Sequence, residues 1–189
     1  MKWLRVITVF TGLSLITGVL YPLAVTFVGQ LLFAQCAKGS LIVAGKKLVG
    51  SELIGQQFND PGYFWGRPTA TGLFSYNPLA GAGSNLAQTN PALTSRVTSD
   101  VERILSAHQG KKPVPVDLLT ASGSGLDPHV SVAAAEYQVD RVARARGVSE
   151  AEIGTEVRRF TEERTFGLLG ERRVNVVLLN LSLDRSFPR

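Results

Sequence analysis

One cysteine, Cys36, stands among 189 residues, so no disulfide scaffold holds this chain. Only two histidines, His108 and His129, join it as soft ligands, too few for a zinc site of the usual Cys/His type. Charged residues make up 19% of the chain and apolar residues 44%. That balance excludes disorder of the whole chain. The formal net charge is +5, yet no Lys/Arg run exceeds two residues. A nucleic-acid partner is therefore not expected, because it would call for a basic stripe. No internal repeat is present. A P-loop is missing as well: Gly39, Gly45 and Lys46 are one residue too far apart, and Lys47 holds the hydroxyl position. A G-x-S-x-G elbow is also missing, since Ser122 stands two places before Ser124. Ser124, Asp127 and His129 crowd one loop, whereas triad members converge from separate elements. No catalytic residue and no metal site are expected.

The scarcity of charge is sharpest at the start. Val6 to Ala37 is a run of 32 residues with no Asp, Glu, Lys or Arg. A hydrocarbon core about 30 Å thick needs about 20 helical residues. The run exceeds the ~7–15 apolar residues of a cleaved signal, and Ala34-Gln35-Cys36 is a poor cleavage site. Residues 1–37 are expected to be an uncleaved, single-pass anchor, with Cys36 at its end as a small hydrophobe. Thr11, Ser14, Gly18, Pro22, Val25 and Gly29 follow steps of three and four, which stacks them on one face. Small residues let membrane helices approach closely, so this face is expected to pack on partner helices. Pro22 is expected to bend the helix unless the freed carbonyl is satisfied. Lys2 and Arg5 precede the run and Lys38, Lys46 and Lys47 follow it, so charge does not decide the orientation.

Residues 38–189 are expected to form one mixed α+β extramembrane domain. Leu41–Val43 and Leu48–Val49 read as strands across a turn. From Asp60 to Ser95 the only charged residues are Asp60 and Arg67, while Tyr63, Phe64, Trp65, Phe74 and Tyr76 are interspersed. Such a segment reads as an ordered loop that folds on its own aromatics or on a partner. Tyr63, Phe64, Trp65, Arg67, Tyr76, Asn77 and Asn85 are its interface candidates.

Asn90 and Pro91 start a helix with an apolar stripe of Leu93, Val97, Val101, Ile104 and Leu105, which Gly110 is expected to stop. Pro113 and Pro115 predict an extended segment through Leu118. Ser131 caps a second helix that Gly147 ends, and Ser149 with Glu152 forms a capping box for a third. On these helices Arg141, Arg144 and Arg158 are expected to be a solvated face. The alternation from Val177 to Leu183 predicts a half-buried strand. Ser122, Gly123, Ser124, Gly125 and Asp127 form the best site candidate, with Gln138 as either a surface amide or a partner contact. The loop reads either as an anion cradle or as a turn whose Asp127 binds the nearby amides itself.

Several motifs together carry a resemblance. They are Tyr63-Phe64-Trp65-Gly66-Arg67-Pro68, Tyr76-Asn77-Pro78, Gly83-Ser84-Asn85-Leu86, Thr89-Asn90-Pro91, Thr120 through His129, Tyr137-Gln138-Val139 and Ala145-Arg146-Gly147. The chain resembles the C subunit of the bacterial Kdp-type, ATP-driven high-affinity potassium transporter. The resemblance implies a noncatalytic accessory subunit in the bacterial cytoplasmic membrane. Its implied partners are a channel-like potassium-translocating subunit, a P-type ATPase subunit and a small single-helix subunit. Potassium is then the ion that the complex transports. The resemblance implies no covalent cofactor, help with assembly, and a raised ATP affinity of the ATPase subunit. It also places the bulk domain outside the cytoplasm, which conflicts with direct ATP contact by Ser122–Gly125 or Gln138. A direct nucleotide binder and an independent, membrane-tethered solute-binding protein are the alternatives. The chain departs from the family at Ala82 and Ala87, where glycine is usual, and at Gln88 and Val132, where proline is usual.

Overall fold

A computed structural model describes residues 2–109 and 113–188. It divides into two compact units that meet in sequence between Ser51 and Glu52. The expected helix stop at Gly110 lies outside the described residues.

The first unit is dominated by a continuous helix, Lys2–Leu32, with a mean hydropathy of 1.8 and none of its residues buried. Its two α-helical parts are α1 (Lys2–Leu15) and α2 (Tyr21–Leu32), joined by a π turn at Ile16–Leu20. The cause is Pro22, in the first turn of α2. Its ring would collide with the Gly18 carbonyl in a regular ladder. The wider turn, in which the Tyr21 N–H donates to the Ile16 carbonyl, relieves that conflict. Thr8 and Thr17 donate their hydroxyls to the Leu4 and Leu13 carbonyls at 2.9 and 2.8 Å. Both hydroxyls are thereby satisfied inside an apolar surrounding. A short turn of helix, α3 (Ala34–Ala37), carries the exposed, free Cys36. Strands β1 (Leu41–Ala44) and β2 (Lys47–Ser51) then form the expected antiparallel pair across Gly45, at φ 64°. Ser51 Oγ donates to the Gly39 carbonyl at 2.7 Å, which returns the end of β2 to the foot of the helix.

The second unit is the mixed α+β domain. After a loop with one 3-10 turn at Pro78–Ala80 come α4 (Pro91–Ala107), a 3-10 turn at Val116–Leu118 and β3 (His129–Ser131). Helices α5 (Val132–Arg146) and α6 (Glu150–Arg159) follow, then β4 (Thr161–Glu162), β5 (Arg173–Asn175) and α7 (Val176–Ser186). The strands form one antiparallel sheet in the order β3-β5-β4. Its core holds Phe64, Ile104, Leu118, Ala134, Val142, Ile153, Val157, Val174, Leu179 and Leu183. The expected caps are present. Asn90 accepts from the Ala92 N–H, Ser131 accepts from the Ala134 N–H, Gly147 adopts φ 68°, and Ser149 and Glu152 complete a capping box.

Two expectations are corrected. Residues 176–186 are a helix, not a strand. Asn175 caps it by accepting from the Val177 and Leu178 N–H groups. Val176, Leu179, Asn180 and Leu183 face the core at steps of three and four. With Val or Leu at six of the eight positions from Val176 to Leu183, period two and period 3.6 fit equally well. The segment after Pro115 is a 3-10 turn and not extended. Proline fixes only its own φ and restrains the residue before it, leaving the residues after it free to turn. In α4, Ile104 is the one buried residue; the rest of the apolar stripe stays partly exposed.

Candidate functional site

The aromatic segment is strung between two helices by side chains that imitate a β-ladder. On one side Asn180 of α7 accepts from the Phe64 N–H at 2.8 Å and donates to the Phe64 carbonyl at 2.9 Å. On the other, Gln138 of α5 accepts from the Trp65 N–H at 2.8 Å and donates to the Trp65 carbonyl at 3.1 Å. Both amides are fully buried. A buried loop needs such partners, because water cannot satisfy its backbone.

Two arginines complete the clamp. Arg141 is 3% exposed. It donates to the Pro61 and Tyr63 carbonyls, to Gln138 Oε1 at 2.6 Å and to His108 Nε2 at 3.0 Å. Its guanidinium lies 4.2 Å from the centre of the Trp65 ring. Burial draws its pKa down to about 10. His108 Nδ1 faces the Ile104 carbonyl at 2.8 Å. The carbonyl can only accept, so Nδ1 carries the proton and Nε2 receives the arginine. Arg146, whose side chain is fully buried, donates to the carbonyls of Gly62, Leu183 and Phe187 and pairs with Asp184 at 2.8 Å. Tyr63 donates its hydroxyl to the same carboxylate at 2.9 Å.

These contacts correct the expected solvated face. Arg144 and Arg158 are exposed, but Arg141 is interior. Gln138 is not a surface amide. His108, Arg146 and Asn180 have structural roles that the sequence reading missed. One signal was available: Ala134, Gln138 and Arg141 follow steps of four and three, the spacing of a buried face.

The loop candidates are brought together around Arg67. An open groove of about 580 Å³ is lined by Leu53, Arg67 and residues from Ser122 to His129. Arg67 donates to the Thr120 and Ala121 carbonyls and pairs with Asp127 at 3.5 Å. Asp127 Oδ1 accepts from the His129 N–H and faces its Nδ1, both at 3.0 Å. Burial alone would raise the Asp127 pKa, but hydrogen bonds from His129 and the charges of His129 and Arg67 hold it below the ordinary value. Ser122 Oγ accepts from the Gly125 N–H at 2.9 Å, and Ser124 Oγ from the Leu126 N–H at 3.2 Å. The loop side chains are thus spent on the loop's own amides, as an Asx/Ser turn does. Its glycines have a packing reason as well. A Cβ at Gly125 (φ +69°) would stand 2.7 Å from the Ala82 carbonyl, and one at Gly83 would stand 3.0 Å from the Gly123 carbonyl. The two glycine-rich loops pack backbone against backbone.

Among the other loop candidates, Phe64, Trp65, Tyr76 and Asn77 are buried in the domain itself, whereas Asn85 is exposed at φ 50°. Tyr76 donates to the Arg67 carbonyl at 2.7 Å. Burial, with Asp127 nearby, pushes its pKa up to about 12. Asn77 caps the 3-10 turn by accepting from the Leu79 N–H. On the apolar helix, Thr11, Ser14, Gly18, Pro22, Val25 and Gly29 are covered by none of the described residues, and a Cβ at Gly18 or Gly29 would meet nothing within 4 Å. The π turn rotates Pro22, Val25 and Gly29 relative to Thr11 and Ser14, compared with an unbroken α-helix. Among the described residues, no group of three or more His, Cys, Asp and Glu side chains is placed to hold a metal.

Known proteins share this chain almost end to end. Residues 3–185 match the family described as KdpC: K+-transporting ATPase, c chain. A protein of Methylococcus capsulatus, named potassium-transporting ATPase KdpC subunit, is 58% identical over 172 residues, 90% of each chain. Proteins of the same name from Sorangium cellulosum and Polaromonas naphthalenivorans are 56% and 54% identical. Those alignments cover 96% of this chain, and 94% and 93% of the relatives. With an apolar N-terminal helix, a mixed α+β domain and matches of that extent, the chain belongs to the KdpC family, the c chain of K+-transporting ATPases.

Proposed function

We propose that this chain is a noncatalytic accessory subunit of a potassium-transporting ATPase in a bacterial cytoplasmic membrane. It assists assembly and stabilises the complex. One observation carries the reading: a 31-residue apolar helix with no buried residue and open space beside Gly18 and Gly29. Lipid gives no hydrophobic drive for helix association, so van der Waals packing at closely approaching small residues drives it instead. The partners on this reading are the channel-like potassium-translocating subunit, the P-type ATPase subunit and the small single-helix subunit. ATP and potassium act through those subunits. The self-satisfied Ser122–Asp127 loop favours this role over direct nucleotide binding, including any raising of ATP affinity by contact.

Gly18→Leu is the test. A Cβ at position 18 would meet no atom of another element within 4 Å, so the added bulk is aimed at a partner helix. Recovery of the other subunits with the tagged chain is expected to fall about tenfold, as for a loss of ~1.4 kcal/mol. Unchanged recovery contradicts the reading.

The same proposal places the extramembrane domain, residues 38–189, outside the cytoplasm. Ser124 is exposed, and the one native thiol is removed by Cys36→Ala. In that background Ser124→Cys is expected to react with a membrane-impermeant thiol reagent in intact cells. Reaction only after lysis reverses the topology and reopens the nucleotide reading.

A further inference from the structure

We propose that the β1–β2 hairpin lies against the anionic phospholipid headgroups of the leaflet where the apolar helix ends. The inference rests on the reading of Lys2–Leu32 as a membrane span and adds a second, electrostatic contact with the same bilayer.

The placement of charge points there. Residues 1–51 contain five Lys and Arg side chains and no Asp or Glu, whereas residues 52–189 contain fifteen of each sign. The whole net charge of +5 therefore belongs to the unit that carries the helix. Lys2 and Arg5 stand at one end of the uncharged run, and Lys38, Lys46 and Lys47 follow its other end. All three of these lysines are exposed. The hairpin also needs a cover. Among the described residues its sheet has only two strands, and an isolated two-stranded sheet is marginally stable in water. Leu41 and Val43 share a face of β1, and Leu48 stands opposite Val43. These three are 42%, 56% and 56% exposed.

Continuity with the helix keeps the hairpin near the bilayer. No charge interrupts the chain between Arg5 and Lys38, so the hydrocarbon ends near α3. The hairpin is bonded to that turn. The Ser40 N–H donates to the Gln35 carbonyl at 3.0 Å, and Gln35 Nε2 donates to the Leu41 carbonyl at 2.9 Å. A four-residue strand reaches only about 13 Å. The headgroup layer on each side is itself about 5–8 Å deep, and a lysine stem adds further reach toward it.

Composition then selects lipid over protein. Lysine is depleted in protein interfaces. Apolar side chains beside uncompensated lysines are instead the make-up of a segment that lies on an anionic bilayer. A second copy of this chain is disfavoured, because its hairpin would set two groups of three lysines against each other.

The test puts one thiol on the hairpin of the full-length chain, Leu48→Cys with Cys36→Ala, and attaches the polarity-sensitive dye NBD there. The chain is reconstituted into phosphatidylcholine vesicles with or without about 30% phosphatidylglycerol, each holding a lipid spin-labelled at its headgroup as quencher. Quenching is expected to be about threefold stronger with phosphatidylglycerol, and to fall to the phosphatidylcholine level in about 1 M salt, where charges are screened within ~3 Å. Combining Lys38→Gln, Lys46→Gln and Lys47→Gln is expected to act as the salt does. Equal quenching in both vesicles, or none, overturns the hairpin contact while the chain stays embedded. Extraction of the chain by alkaline carbonate overturns the spanning reading with it. In the whole complex, benzoylphenylalanine in place of Leu48 is expected to give lipid adducts on illumination. Adducts with another subunit or with a second copy of this chain overturn the proposal, as does the absence of any adduct.

Discussion

Arg141→Ala is expected to lower the melting temperature of the full-length chain in detergent by about 10 °C, or roughly 3 kcal/mol. The substitution leaves the Pro61 and Tyr63 carbonyls, Gln138 Oε1 and His108 Nε2 facing an empty interior. Each loses a donor where water does not easily replace it, Gln138 Oε1 keeping the Trp65 N–H, and an unsatisfied buried polar group costs about 1–3 kcal/mol. The Trp65 ring also loses the nearer of the two guanidinium groups over it, Arg103 staying at 5.0 Å, so its emission should shift before the transition as well as at it. Arg144→Ala is the control. It sits on the same helix, exposed, and among the described residues its side chain bonds to Asp140. A change within about 0.5 kcal/mol is expected there. Equal effects of the two substitutions would falsify the interior clamp.

Phe64→Ala is expected to cost about 4 kcal/mol, the range for emptying a fully buried aromatic site. The ring is wholly buried, and its backbone is held on both sides by Asn180. Neither constraint lets the segment collapse into the void. The measurement separates stability from association. In the same loop Leu73 is fully exposed, and Leu73→Ala should leave thermal unfolding unchanged. A Phe64→Ala chain that melts normally but fails to join the complex would move the residue from the core to an interface.

The two substitutions bear on what could be read from the residues alone. Local signals were legible: Asn90, Ser131 and the Ser149/Glu152 box cap helices because each cap is a bond between residues two or three apart. Gly147 ends α5 because only its own φ matters there. The expected strand from Val177 to Leu183 is a helix because its apolar content satisfies both periods, and the choice falls to Asn175 and to packing on the domain core. Ser122, Ser124 and Asp127 are neighbours in sequence, but the partner that braces their loop, Arg67, lies 60 positions from Asp127.

The sequence by itself determined the long apolar helix, the caps and the α+β class. A bilayer asks only for length and apolarity, and a cap asks only for near neighbours. The tertiary structure alone decided that Arg141 and Gln138 are interior. Their partners at Tyr63 and Trp65 are more than 70 residues away in the chain. A charged or amide side chain enters a core only when such distant groups arrive to satisfy it, and no local pattern records their arrival.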